Sequence, residues 1–228
     1  MRPTLLPVPA LLAAIAGLAA AEPQIVADPA LPAIIPQADP AVAAGATLFV
    51  SSDRGATWQR IADAAFAATA PVPAFRWTAP GDGEYAIVTP VRFRPGAGAD
   101  QAEPVPGQLP PHALQVVVDT TPPAVEIESA EARPGEVTVR WSARDAHFTP
   151  EPVSLDLSVD GGRSFAAVRT LPPSGSITVP AVLAAGVSAP LVRLTARDRA
   201  GLVATTPAVA AVTAKPTDPV ALLQQAVA

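Results

Sequence analysis

Few residues in this sequence could carry out chemistry, and they are dispersed along the chain. The two histidines, His112 and His147, stand in separate predicted loops without metal-ligand spacing. Glycoside hydrolysis needs a pair of carboxylates in a cleft, whereas Glu84 and Glu136 each head a predicted strand and are interpreted as surface residues. The absence of cysteine excludes disulfides, thiolate metal sites and a cysteine nucleophile. We therefore expect no catalytic residues, no cofactor and no metal, and hence no enzyme.

Calcium is the metal that the loops come nearest to supporting. Asp145, Glu151 and Asp198 are predicted near one end of the second half of the chain, and Asp119 precedes that half. Calcium takes about six to eight oxygen ligands, and no dense acidic run supplies them. We interpret these carboxylates as caps of turns.

The most regular polar pattern in the sequence is Ser-x-Asp-x-Gly-x-Thr-Trp. An Asp side chain accepts hydrogen bonds from nearby backbone N–H groups, and Gly supplies the positive φ of a hairpin turn. The hydroxyls satisfy backbone groups that the turn leaves unpaired, and we expect the aromatic ring to anchor each hairpin in a core. The residues of the complete copy are Ser51, Asp53, Gly55, Thr57 and Trp58, and those of a weaker copy are Ser158, Asp160, Gly162, Ser164 and Phe165.

This pattern resembles the Asp-box of sialidases and other β-propellers, which is also found in scattered sandwich domains. In those families the resemblance implies a fold-forming turn at the periphery and not a catalytic centre. A propeller needs several blades of about four strands each, which two boxes in 228 residues cannot supply. We expect both copies to be structural hairpins.

Composition and charge limit the class of partner. Half of the residues are hydrophobic, which is enough for real cores. The net charge is −5, and Lys215 is the only lysine. Without a basic face, a nucleic-acid partner is not expected.

Residues 1–21 have the features of a secretory signal peptide. Arg2 provides the positive start, Leu5 to Ala20 is apolar, and Ala19-Ala20-Ala21 is a small-residue cleavage site. The run is shorter than a spanning helix of about 20 apolar residues. We expect cleavage, no membrane span in the mature protein, and a secreted or periplasmic location.

The first predicted domain covers residues 22–119 and contains the hairpin 48–61. A long strand follows, in which Pro90 predicts a bulge or a break. Loops as long as 94–111 are usually functional or disordered, and the density of proline and glycine in this loop favours disorder. A short proline-containing linker, residues 120–123, ends the domain.

The second predicted domain covers residues 124–213, and residues 214–228 form a tail with a possible short helix. Apolar and polar residues alternate over several short segments, which is typical of antiparallel sheets with one wet face. Trp141 lies on an inward position of one of them. Several short strands at this spacing predict a sandwich.

The position of Trp141 on the strand before the second hairpin resembles the fibronectin type III and bacterial immunoglobulin-like families. The segment Val117–Pro123 resembles the junction of tandem bacterial immunoglobulin-like repeats, and Ala196–Gly201 resembles their closing hairpin. The resemblance implies an all-β chain of two immunoglobulin-like or fibronectin type III-like sandwiches in tandem. The first domain departs most from the pattern.

Two functions remain open from the sequence. One is an extracytoplasmic, non-enzymatic module that binds an unknown protein or acts as a cell-envelope scaffold. The alternative is a carbohydrate-binding module for a cell-surface polysaccharide, which needs exposed aromatic rings for sugar stacking. The only tryptophans are Trp58, Trp77 and Trp141, all on predicted core faces; exposure of one beside Tyr85 would favour the alternative.

Overall fold

The computed structural model describes residues 22–213, and every regular element in this range is a β-strand. The predicted signal peptide and the predicted tail lie outside the described residues. No helix of the described range is long and apolar enough to cross a membrane. The strands of this range are β1 (Gln24–Val26), β2 (Ala43–Ser51), β3 (Gln59–Ala65), β4 (Gly83–Val88), β5 (Val91–Phe93), β6 (Leu114–Val118), β7 (Ala124–Arg133), β8 (Glu136–Arg144), β9 (Phe148–Ser158), β10 (Ala166–Leu171), β11 (Ser174–Pro180), β12 (Leu191–Asp198), β13 (Val203–Thr205), β14 (Val209–Ala210) and β15 (Val212–Thr213).

The chain divides into two compact units between Thr120 and Thr121. Unit one contains a sheet with the order β1-β6-β4-β2-β3, in which β5 also pairs with β2. The pairing is antiparallel except for β1, which runs parallel to β6. β4 and β5 are one strand interrupted at Thr89 and Pro90, as the proline predicts, and the Thr47 N–H donates to the Pro90 carbonyl at 3.1 Å.

The second layer of unit one is reduced to two segments joined by single bridges. Ala30 pairs with Thr78, and Ile34 pairs with Phe75. Side chains of these segments and of the sheet form one buried cluster, so unit one has a core between two layers. It departs from the expected full sandwich because proline recurs through the first of these segments and restricts a regular strand there.

The opposite face of the unit-one sheet is also apolar. Phe49, Ala86, Val88 and Val117 are each at most 8% exposed but lie outside the core cluster. The loop between β5 and β6 passes over this face, since Leu109 lines a shallow groove together with Ala86 and Val117. Both faces of this sheet are therefore covered.

Unit two is a sandwich of two antiparallel sheets. One sheet has the order β10-β9-β12-β13, with β14 also pairing with β12, and the other has the order β11-β8-β7, extended by β15 parallel to β7. The core between them contains Trp141, which is 2% exposed. This arrangement is the immunoglobulin-like sandwich architecture expected from the alternation.

In each unit, the sheet that contains the motif hairpin has the same strand order. In unit one β6-β4-β2-β3 follows the same path as β13-β12-β9-β10 in unit two, with a motif-bearing hairpin at the corresponding edge. The bridge between Ile34 and Phe75 occupies the place of the β8–β11 pairing. Unit one thus lacks a counterpart of β7, among the described residues.

Candidate functional site

The turn between β2 and β3 contains a closed set of hydrogen bonds. The Ser51 hydroxyl donates to Asp53 Oδ1 at 2.8 Å and accepts from the Gly55 N–H at 2.8 Å. The Thr57 N–H donates to Asp53 Oδ1 at 2.8 Å, and the Thr57 hydroxyl donates to Asp53 Oδ2 at 2.6 Å. Both carboxylate oxygens are therefore occupied by the turn itself.

The turn between β9 and β10 repeats these bonds at the same offsets. The Ser158 hydroxyl donates to Asp160 Oδ1 at 2.8 Å and accepts from the Gly162 N–H at 2.9 Å. Ser164 donates its N–H to Asp160 Oδ1 at 3.0 Å and its hydroxyl to Oδ2 at 2.6 Å. Ser164 replaces the threonine of the first turn without changing the network, because the hydroxyl is the only side-chain group that takes part.

These donors stabilise the ionised form of both carboxyls. The hydroxyl of Thr57, then its N–H, then the Ser51 hydroxyl lower the pKa of Asp53. The corresponding groups of Ser164 and Ser158 hold the pKa of Asp160 well below its usual range. A carboxylate held in this way neither gives nor takes a proton near neutral pH, so it is unsuited to acid–base catalysis.

Two successive residues with positive φ close each turn. In the second turn both are glycine, Gly161 (77°) and Gly162 (87°). In the first turn Gly55 (87°) follows Arg54 (57°), the one non-glycine residue with positive φ between residues 22 and 213. Arg54 is held by an exposed ion pair with Glu84, with 2.6 Å between Nε and Oε2.

Trp58 lies against the long loop and not in the core. Its side chain is half-buried, it does not belong to the core cluster of unit one, and its Nε1–H donates to the Gln108 carbonyl at 3.3 Å. The Gly107 N–H donates to the Gly55 carbonyl at 2.8 Å. This corrects the expectation that the Trp58 ring lies in a dry core. The ring packs instead against the loop between β5 and β6.

The same contacts correct the expectation that residues 94–111 are disordered. Arg94 anchors the start of the loop by donating to the Phe66 carbonyl at 2.9 Å. Asp100 Oδ1 accepts from the Phe93 N–H at 2.7 Å, and the Gln101 N–H donates to the Val91 carbonyl at 2.9 Å. Hydrogen bonds at its start and along its middle fix the loop on the sheet and on the first turn.

Phe165 takes a different environment from Trp58. It is half-buried, lies outside the core cluster of unit two, and has the Arg193 guanidinium 4.4 Å from its ring centre. Arg193 also donates to Asp156 Oδ2 at 2.8 Å. The second expected core ring is thus a half-buried cation–π partner outside the core. Trp141, in contrast, is a core residue, and its Nε1–H donates to the Pro172 carbonyl at 3.0 Å.

The carboxylates considered for calcium in unit two take up local hydrogen bonds. Asp145 Oδ1 accepts from the His147 N–H at 2.6 Å, Asp198 Oδ1 from the Leu202 N–H at 2.8 Å, and Glu151 from the Thr170 hydroxyl at 2.6 Å. The first two bonds are turn caps, in agreement with the interpretation from the sequence. Glu84 and Glu136 belong to different units.

The groove that Leu109 lines in unit one is small. It has a volume of about 30 Å³ and lies beside the first turn, next to Arg54, Glu84, Leu109 and Gln115. Ligand pockets usually enclose about 300–1,000 Å³, so this groove accommodates little more than about two water molecules. The motif residues are therefore brought together as two separate turns, one in each unit.

Three residues at these turns were not indicated by the sequence analysis. Gln108 and Leu109 lie in the loop that was expected to be disordered, and Arg193 lies far along the chain from Phe165. The proline density of the loop was the one available signal, since prolines also rigidify an ordered segment.

No protein-family model matches the chain, and no curated protein matches it. Among solved structures, it is similar to the FN1–FN3 domains of chicken CNTN1, at 12% sequence identity and a TM-score of 0.35. The match covers 75% of this chain and 56% of the other. This likeness adds nothing about ligand or partner.

Proposed function

We propose that the chain is a non-enzymatic protein-binding or structural module that works outside the cytoplasm, in the periplasm or after secretion. The observation that carries the proposal is the use of the polar motif residues. In both turns the Asp oxygens accept bonds from neighbouring hydroxyl and N–H groups, so the most chemically distinctive residues serve the fold. The signal-peptide features of residues 1–21 support the location.

The segment 94–113 is the surface that we assign to a protein partner. Unit two connects the corresponding strands, β12 and β13, by residues 199–202 alone. An inserted loop that is also fixed by hydrogen bonds loses little entropy on binding.

The exposed side chains of this loop have the character of an interface. Val105 is 52% exposed and Leu109 is 39% exposed, and the Arg54–Glu84 ion pair lies beside Leu109. An apolar centre with a charged rim is the usual composition of a protein–protein contact. A protein partner with an apolar patch fits this surface.

Site-specific photocrosslinking tests the proposal. A benzophenone amino acid at Val105 of the full chain, irradiated in intact cells or in envelope preparations, should give a discrete cross-linked species. Excess parent protein should abolish that species, whereas an excess of the Val105→Ser/Leu109→Ser variant should not.

The matched control is the same amino acid at Val182, which is 80% exposed in unit two. Cross-linking of equal yield at both positions, or competition by the double variant as efficient as that by the parent, contradicts the assignment of the loop.

The carbohydrate-binding alternative has little support from the side chains. None of the aromatic residues of the described range is exposed. Trp77 lies beside Tyr85, but the pair packs edge to face at 5.1 Å, with Trp77 half-buried and Tyr85 buried. Sugar stacking requires an open ring face, so we do not advance this function.

A further inference from the structure

Strand β11 has one paired and one open edge, and the register with β8 identifies the groups on each. The Ala143 N–H donates to the Pro173 carbonyl at 2.7 Å, and the Ala181 N–H donates to the Gly135 carbonyl at 2.9 Å. In an antiparallel ladder the paired residues recur at every second position. Gly175, Ile177 and Val179 therefore face β8, and the residues between them face outward.

The outward backbone groups belong to Ser174, Ser176 and Thr178. Between residues 22 and 213 no other segment pairs with this edge, and no hydrogen bond to these N–H groups is present. Ser176 and Thr178 each offer one N–H and one C=O. Ser176 is exposed, so the edge is accessible within its own unit.

The other strand edges of the described chain carry features that oppose strand addition. β1 is three residues long, and β7, which β15 pairs at two positions, carries Glu126, Glu128 and a register shift against β8. β3 carries the exposed Arg60–Asp63 ion pair and a register shift against β2. β10 carries Arg169 and a register shift against β9. β13, β14 and β15 have only two or three residues each. Charges, bulges and short length are the devices by which proteins prevent edge pairing.

β11 has none of these devices. It is seven residues long, it contains no charged residue, its one proline is the last residue, and its register with β8 has no shift. We propose that β11 is a homotypic interface, at which two copies of this chain join their sheets by antiparallel pairing of β11 with β11. This inference goes beyond the binding role assigned to the loop.

Self-pairing fits the strand for a reason of symmetry. In a two-fold antiparallel pairing the residue on the axis faces its own copy, so a charged residue there meets a like charge. A neutral strand avoids this cost. Antiparallel pairing centred on Ser176 sets the Ser176 residues of the two copies opposite each other and Ser174 opposite Thr178, and forms about six backbone hydrogen bonds.

Sedimentation equilibrium of the mature full chain tests the proposal. The parent mass should rise with concentration from one copy to two and no further. Ser176→Lys should reduce self-association at least about tenfold, because edge lysines oppose strand addition. Ala167→Lys, an equal charge change at an exposed residue of β10, should associate like the parent.

A second variant reports the geometry independently of mass. Since the chain has no cysteine, Ser176→Cys introduces a single thiol, which should oxidise to a linked pair faster than the thiol of Ala167→Cys. A single-copy mass at every concentration, growth beyond two copies, equal loss of association in both lysine variants, or equal oxidation of both cysteine variants would overturn the proposal.

Discussion

Asp160 shows how one side chain can specify a turn without taking part in chemistry. Its two oxygens accept three hydrogen bonds from Ser158 and Ser164 at 2.6–3.0 Å, and the adjacent glycines supply the positive φ. Asp53 makes the same contacts with Ser51 and Thr57. The repetition indicates that the offsets, and not the flanking sequence, determine the turn.

The depressed pKa of Asp160 predicts acid sensitivity. Its stabilising effect is complete above the unfolded-state pKa of about 3.9 and is lost as the pH falls toward the lower folded-state value. The thermal midpoint of the parent should therefore fall between about pH 5 and pH 2 more steeply than that of Asp160→Asn, which should already be lower at pH 7. Glu128→Gln, at an exposed residue outside the turns, should keep the parental pH profile.

Substitution at Gly55 should cost much more stability than substitution at Arg54. Arg54→Gly converts the first turn to the glycine pair of the second and removes left-handed strain of about 1–2 kcal/mol. It also loses an exposed, solvent-screened ion pair and adds chain entropy, so the gain and the losses should nearly cancel. Gly55→Ala should cost more than about 2 kcal/mol, because its Cβ would approach the Gln108 carbonyl oxygen to 2.6 Å. Chemical denaturation measures both; equal losses would contradict this account of the turn.

At the scale of elements, the alternation of apolar and polar residues predicts the strands of unit two. It does not predict where the aromatic rings of the turns lie. Val137, Val139 and Trp141 are buried as their period predicts. Trp58 and Phe165 could not be placed in this way, because their environments come from Gln108 and Arg193, which are distant in sequence. The polar turn networks were predictable from local spacing, since every partner lies within four residues.

The different burial of two tryptophans predicts different costs of truncation. Trp141→Ala should destabilise unit two by about 3–5 kcal/mol, as expected for a large core side chain. Trp58→Ala should cost only about 1–2 kcal/mol, because the half-buried ring gives up less apolar contact. Hydrogen exchange in the Trp58 variant should increase in the loop 94–113 while the sheet remains protected; equal costs for both variants would argue against this placement.

At the scale of the whole molecule, the two units differ in how completely their second layer is built. Unit two has two full sheets around a closed core, whereas unit one joins its second layer by single bridges. The sequence signalled this difference only through the prolines of residues 29–36. Order in the loop was not predictable, because it depends on the covered outer face of the sheet as well as on composition.

A fragment of residues 121–213 should fold by itself. Its core contains only its own residues, and its length is in the range of independent domains. We expect a cooperative melt and a near-ultraviolet dichroism signal from Trp141. A fragment with strand content but without that signal would show that the sandwich needs the rest of the chain.

The missing side chain of Gly55 has a consequence for engineering. The Gln108 backbone occupies the space where a methyl group would stand, whereas at Gly162 the Leu191 side chain lies 3.0 Å from the corresponding position. If residues 94–113 were grafted between β12 and β13, the Leu191 side chain would thus already occupy the space beside Gly162 that the loop occupies beside Gly55. Diversified loop libraries on this scaffold belong in the first unit, with the glycine left invariant.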